Sequence, residues 1–457
     1  VIAGATHRFR EQLARLRSHP ALQRVLRNSG YLLGAQTGGA ALSMLQGILA
    51  ARLIGVEGLG LLGVITQFAS VINRLTSFRM GELVVSFVSE YQSRGRRTEA
   101  AAVFRLAGLV EIVSSLGAFG LLVVLAPWAS RHLAHNPLSA RLFVLYGIIL
   151  LANLMAESST GLLQVFNEFR VIAGITLGQS VVTLAVIGAA FLGGGGLETV
   201  LLGYLLGKGL SALMLTAWAF RRARSEWGWG WWRVGWGVLA GRRRDLIRFG
   251  LSTNLSASLS LVTRDSELLW LSAFSTPLQV GHYKVALAVT NILLVPVTPL
   301  ISPTYREVAR EAGSRNWDSV SSLLRNGTLI STLWTAPCSL GLLLVGPWLI
   351  GLYGAEFAPA YPMLLVLVVG AAAANLLYWS RSALLALGRP DIPTKVHLGA
   401  ALAKVMGILI WVPKYGGIAM AALLSGFFAA TSGILAWQSA RHLDRARRSA
   451  EGAAPVP

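Results

Sequence analysis

Charge is scarce in this sequence of 457 residues: Asp, Glu, Lys and Arg together make up 13% of it, against about 25% in a soluble domain. Hydrophobic residues make up 54%, and the mean hydropathy is +0.60. A water-soluble chain of this length would expose large apolar patches and aggregate. Cysteine is nearly missing. The single one, Cys338, lies in an apolar run, which excludes a disulfide within the chain and a cysteine-based zinc or iron–sulfur site. A phosphate-binding loop is missing too: Gly203 to Gly209 reads GYLLGKG, with the wrong spacing and no hydroxyl after its lysine. There is no His-Glu-x-x-His motif. His132 and His135 stand three apart with no carboxylate beside them, so no metal or other cofactor is implied.

What is present is a series of apolar runs of about 20 residues, the length that crosses a hydrocarbon core. Spans are predicted at 29–51, 59–80, 104–126, 141–164, 171–192 and 197–220, then at 249–273, 279–303, 322–345, 359–386, 393–413 and 416–439. The net charge of +20 would suit a nucleic acid, but the arginines stand in short clusters between these runs, where they orient a membrane protein. Alternate connections are basic, from the N-terminal arginines through Arg94–Arg97, Arg170, Arg221–Arg248, Arg306–Arg315 and Arg389 with Lys395 to the tail Arg441–Arg448. That alternation fits twelve spans without a skip and puts both termini in the cytoplasm. No nucleic-acid partner is implied.

The expected organisation is a cytoplasmic amphipathic segment (1–28), a six-helix bundle (29–220), a cytoplasmic linker (221–248), a second six-helix bundle (249–440) and a cytoplasmic tail (441–457). Residues His7 to Arg27 have neither the apolar core nor the cleavage site of a secretory leader. The linker interleaves Trp227, Trp229, Trp231, Trp232 and Trp236 with arginines, as interfacial segments do with indoles at headgroup depth. A shift of 221 residues lays Gly60–Val64 over Gly281–Val285. A shift of 222 lays Gly194-Gly195 over Gly416-Gly417, and Leu163 over Leu385. The fold class is therefore all-α: a polytopic membrane protein of about twelve transmembrane helices, in two six-helix halves related by a pseudo-twofold along the membrane normal.

Ionisable side chains inside apolar spans cost about 2.5–3.5 kcal/mol each on insertion scales, so they should face the bundle interior or a wet cavity. The cationic candidates for such a lumen are Arg74, Arg79, Lys208, Arg264, Lys284, Arg381 and Lys404; the acidic ones, candidates for coupling to an ion, are Glu111, Glu157, Asp265 and Glu267. Cations predominate, which suits an anionic substrate. Arg264 and Glu267, three apart, could instead neutralise each other, and Arg79 with Glu82 could snorkel at the interface.

Several stretches resemble one family. ARLIGVEGLGLLGVITQF (Ala51–Phe68), RMGELVVSFVSEYQSRGRR (Arg79–Arg97), TRDSELLWLSAF followed by VGHYKVA, LLALGRPDIPTK (Leu384–Lys395) and VPKYGGIAMAAL (Val412–Leu423) are similar to span junctions of the polysaccharide transporters. These are flippases of the multidrug/oligosaccharidyl-lipid/polysaccharide exporter (MOP) superfamily. Among the buried charges, Asp265 alone matches a family position. The resemblance implies a non-enzymatic exporter of a polyprenyl-pyrophosphate-linked oligosaccharide, in a bacterial inner membrane, for O-antigen, capsule or exopolysaccharide assembly. Its implied partners are that lipid-linked oligosaccharide, membrane lipids and other polysaccharide-assembly proteins. A cation-coupled drug exporter of the same superfamily is the alternative, though its lumen should favour carboxylates. A lipid II flippase would typically have two more spans. A membrane-embedded polymerase or ligase usually carries a large periplasmic loop, and the longest loops here, Pro127–Ala140 and Gly346–Ala358, are too short for one.

Overall fold

The computed structural model describes residues 20–250, 261 and 265–451, and among these every regular element is helical. Helix α1 (Pro20–Thr76) is 57 residues long, about 86 Å if straight, nearly three times a hydrocarbon core of about 30 Å. It is not straight: Gly55, at φ 68° and ψ −175°, turns the chain back through the membrane in a conformation open to a residue without Cβ. The last helix, α14 (Asp391–Glu451), does the same at Gly416, φ 53° and ψ −133°. Each of these helices therefore supplies two spans.

Between them run α2 (80–93, with a π-helical turn at Val84–Val88), α3 (Arg97–His132), α4 (Ala140–Ala152), α5 (Ala156–Val165), α6 (Phe169–Leu192) and α7 (Leu197–Trp227). After the linker come α8 (Glu267–Phe274), α9 (Pro277–Leu294), α10 (Ile301–Gly313), α11 (Trp317–Gly351), α12 (Ala360–Leu376) and α13 (Ser380–Ala386). Eight helical stretches among the described residues are long and apolar enough to cross a membrane. The two folded at glycine count twice. The seventh span, ending in α8, and the eighth, α9 with α10, complete twelve. Much of the expected seventh span, Arg264 included, lies outside the described residues.

The two halves repeat each other in backbone detail. Left-handed residues close matching helix ends at Gly95 and Arg315, at Asn167 and Gly388, and at Gly194 and Gly416. The hydrogen bond from Arg96 N to Tyr91 O (2.9 Å) recurs from Asn316 N to Glu311 O (3.0 Å), and that from Glu168 N to Leu163 O (2.8 Å) recurs from Arg389 N to Leu384 O (2.9 Å). Leu163 thus corresponds to Leu384, one residue earlier than the sequence shift suggests.

The halves also meet symmetrically. A Cβ on Gly60 would lie 2.0 Å from the Pro277 carbonyl oxygen, and one on Gly281 would lie 2.2 Å from that of Val56. A contact in which each partner finds the other's equivalent is what a twofold axis requires. The pseudo-axis therefore passes where the second arm of α1 crosses α9.

Three boundaries differ from the sequence reading. Helix α1 starts at Pro20 and runs through the expected division at residue 28. Helix α7 reaches Trp227, shortening the linker, and α14 carries the tail on as helix to Glu451. Apolar packing continues within a span wherever no backbone signal ends it. Large apolar side chains such as Val124, Leu333 and Leu344 stay exposed on the outside, as a lipid-facing surface requires.

Away from the arginine-rich end, the halves are laced by their loops. Arg52 Nε donates to Leu352 O (2.7 Å), His135 Nε2–H to Ser275 O (3.1 Å) and Ser272 Oγ to Leu133 O, while within the second half His282 Nε2–H donates to Glu356 O (3.1 Å). At the arginine-rich end the linker folds back on the first half. Arg105 Nη1 donates to Val234 O (2.6 Å), Trp227 Nε1 to Gln92 Oε1 (3.3 Å), and Arg242 grips Glu90 with two bonds (2.9 and 3.2 Å). Hydrogen bonding from Arg242 holds the Glu90 carboxyl below the usual carboxylate range.

Candidate functional site

Two interrupted spans shape a polar cavity in the first half. The second span breaks after Thr76, passes through Arg79 in the left-handed region (φ 53°) and resumes at Met80. The fourth breaks between Ala152 and Ala156. The restarted pieces cross closely because the contact residues are small: a Cβ on Gly161 would lie 2.5 Å from the Gly81 carbonyl oxygen.

The break in the fourth span leaves the first N–H groups of α5 without helical acceptors. Glu111, on α3 and buried, supplies them. Its Oε1 accepts from Glu157 N (2.8 Å), and its Oε2 from Ser158 N (2.9 Å) and Ser158 Oγ (2.5 Å). It is a helix cap lent by another helix, with its negative charge at the positive end of the α5 dipole.

Glu157 is placed differently. It is half-buried, touched by Ser77 Oγ at 3.3 Å from both oxygens, and it lines a cavity of about 670 Å³ with Asn73, Ser77, Arg79, Asn153 and Gln164. Arg79 pairs with Glu82, three residues on, and both are well exposed.

Charges also cross between the halves. Arg74 of α1 pairs with Asp265, whose backbone carbonyl accepts from Gln67 Nε2. With the side chains 45% and 26% exposed, this pair contributes about 0–1 kcal/mol and marks a water-accessible space. Glu267 turns into the second half. It accepts from Lys404 Nζ (2.5 Å) and from Tyr283 Oη (3.0 Å), and both Glu267 and Lys404 are buried. Lys404 therefore lies within a packed ion pair among α8, α9 and α14, at the wall of a largely apolar cavity of about 650 Å³ lined also by Trp411, Tyr415 and Phe427.

Two lysines stand apart from this pairing. Lys208, on α7, donates to Tyr146 Oη at 3.3 Å. Lys284, on α9, lies against Gly63 of α1, where a Cβ would stand 3.0 Å from its Cδ. Among the described residues neither has a carboxylate partner. Counted from the starts of their helices, they lie about 16 and 10 Å into a core of about 30 Å, one from each half. Arg381, on α13, is exposed and likewise unpaired with any described carboxylate.

Sequence reasoning missed Ser77, Gln67, Tyr146 and Tyr283 as partners and missed both helix breaks. Asn153–Met155 and Ser77–Arg79 contain no Pro or Gly, so nothing local announces either break.

A sequence profile of the family described as polysaccharide biosynthesis protein matches residues 25–305, more than half of the chain. The chain belongs to that family. Among proteins of curated function, none matches it by sequence. Among solved structures it is similar to an inward-facing multidrug resistance MATE family transporter of the MOP superfamily, with TM-score 0.75, 14% identity and coverage of 90% of this chain and 96% of the other. It is also similar to a MOP superfamily transporter from Pyrococcus furiosus with a binding pocket of reverse polarity: TM-score 0.67, 13% identity, 94% and 98% covered. An outward-facing MATE transporter gives TM-score 0.63 at 13% identity, with 94% and 97% covered. At these identities the likeness is one of fold. The chain is thus a multi-pass membrane protein of the polysaccharide biosynthesis family with the fold of the MOP transporters.

Proposed function

We propose that the protein flips a polyprenyl-pyrophosphate-linked oligosaccharide from the cytoplasmic to the periplasmic leaflet of a bacterial inner membrane for surface polysaccharide assembly, with both termini in the cytoplasm. The observation that carries this reading is that Lys208 and Lys284, one in each half and each within a span, have no carboxylate partner among the described residues. Cations within the spans that no described carboxylate neutralises call for an anionic substrate, and a pyrophosphate supplies the charge.

The rest of the pathway suits the remainder of such a substrate. Sugar hydroxyls cost several kcal/mol each to bury in hydrocarbon, and the exposed Arg74–Asp265 pair belongs to a wet route between the halves, while the polyprenyl tail stays in lipid. Outward movement of negative charge gains about 2.3 kcal/mol per charge per 100 mV when the cell interior is negative. The lacing at Arg52, His135 and Ser272 suits a state closed to the periplasm, and rocking of one half on the Gly60–Gly281 crossing would open it. Glu157, in its polar cavity, is the acid available to exchange a proton or cation.

The other reading, a cation-coupled exporter of cationic drugs, draws on the carboxylates of that cavity, but Glu111 is already engaged by the start of α5. Proteoliposomes carrying a fluorescent lipid-linked oligosaccharide decide between the two. The parent should flip it, and Lys208→Ala or Lys284→Ala should slow flipping by about tenfold or more at equal protein. Unchanged rates in both variants, or transport of cationic dyes with no glycan flipping, would overturn the proposal.

A further inference from the structure

The segment after α7 takes no part in the pathway above, yet it builds a site of its own. Arg221, Arg224, Trp229, Trp231 and Trp232 line a pocket of about 820 Å³ at the arginine-rich end of the molecule. Arg224 lies over the Trp229 ring, Arg233 over Trp232 at 4.6 Å, and Arg221 over Trp218 at 5.6 Å.

Local ion pairing does not account for these charges. Arg222 pairs with Glu226 and Glu168, and Arg242 with Glu90, but Arg221, Arg224 and Arg233 have no carboxylate partner among the described residues. Trp229 and Trp232 are 71% and 51% exposed. In water such indoles would form an apolar patch. At the depth where a transmembrane helix leaves the bilayer, they occupy the headgroup layer that indoles prefer. A guanidinium lying flat on an indole keeps its N–H edge free, and that edge binds phosphate in a fork.

We infer that this pocket binds the phosphate of an anionic phospholipid in the leaflet facing the arginine-rich end. The aromatic rings seat the glycerol and upper acyl region, and the Arg221 and Arg224 guanidinium groups hold the charge, with Arg233 adding to it from over the Trp232 ring. The site is rigidly joined to the first half, because Arg242, Trp227 and Arg105 tie the linker to Glu90, Gln92 and α3. A bound lipid therefore anchors the half that contains the Glu157 cavity. This inference does not depend on the identity of the transported molecule.

The test is native mass spectrometry of the full-length protein in detergent, titrated with phosphatidylglycerol, phosphatidylcholine or inorganic phosphate. Phosphatidylglycerol should bind with a clear preference, and Arg221→Gln/Arg224→Gln/Arg233→Gln should lose roughly a hundredfold of it. Arg306→Gln/Arg325→Gln, also at the arginine-rich end, should keep it. Trp229→Ala/Trp232→Ala, which leaves the charges in place, should weaken binding of the lipid and not of inorganic phosphate. The inference fails if the triple variant, eluting as a single species, keeps the parent's preference, if phosphatidylcholine binds equally well, or if inorganic phosphate displaces the lipid at equal concentration.

Discussion

Glu111 and Glu157 look alike in the sequence, as two acids in apolar spans, and the fold gives them different work. Glu111 satisfies two backbone N–H groups and one hydroxyl at the buried start of α5. An unsatisfied buried donor costs about 1–3 kcal/mol, so Glu111→Leu should lower the thermal unfolding midpoint in detergent markedly. Glu111→Gln, which keeps one acceptor oxygen, should lower it less. Glu157→Gln should leave the midpoint near the parent's, since among the described residues only Ser77 hydrogen-bonds that carboxylate. Equal midpoints for Glu111→Leu and the parent would remove the capping role. Such partners are not legible in sequence. Glu267 suggests a local pair with Arg264, which lies outside the described residues, while its described ion-pair partner, Lys404, stands 137 positions along the chain. Which charges lie in apolar spans can be read from composition; what they touch is set by tertiary packing.

At the scale of helices, legibility depends on whether a break needs a special residue. The reversals at Gly55 and Gly416 use glycine because their φ is positive, and the sequence marks both. The interruptions at Ser77–Arg79 and Asn153–Met155 use residues that also suit a helix, so the predicted second and fourth spans run straight through them. Glycines of ordinary helical geometry divide in the same way. Gly60 and Gly281 each face a backbone carbonyl of the opposite half, whereas Gly117 has nothing within 4 Å of where a Cβ would stand. Backbone cannot move aside as a side-chain tip can. Gly60→Ala and Gly281→Ala should therefore both lower the unfolding midpoint, and by similar amounts because the pseudo-twofold makes their surroundings alike. Gly117→Ala should be neutral or stabilising by up to about 1 kcal/mol, from helix propensity alone. A midpoint for Gly60→Ala at or above that of Gly117→Ala would show that the crossing is looser than the structure describes.

For the whole molecule, hydropathy and the alternation of arginines suffice to count twelve spans, and the near-constant shift between distant motifs suffices to divide them into two halves. The relation between the halves is invisible to both signals, because it rests on a few loop contacts between residues far apart in the chain. Those contacts join the first half to the second at the end remote from the arginines: Arg52 to Leu352, His135 to Ser275, and Ser272 to Leu133. If transport requires that end to open, fixing it shut should stop transport without harming the fold. A His135→Cys/Ser275→Cys pair, in a Cys338→Ser background that removes the native thiol, should accept a short bifunctional thiol reagent. The cross-linked protein should then retain its unfolding midpoint and lose glycan flipping, and a reducible reagent should restore flipping once cleaved. A control pair within the second half, at Gln279 and Gly417, which already share a hydrogen bond of 3.1 Å, should be cross-linked with little loss of activity. Flipping at the parent's rate by fully cross-linked His135→Cys/Ser275→Cys protein would mean that the halves do not part at this end, and alternating access about the Gly60–Gly281 crossing would have to be abandoned.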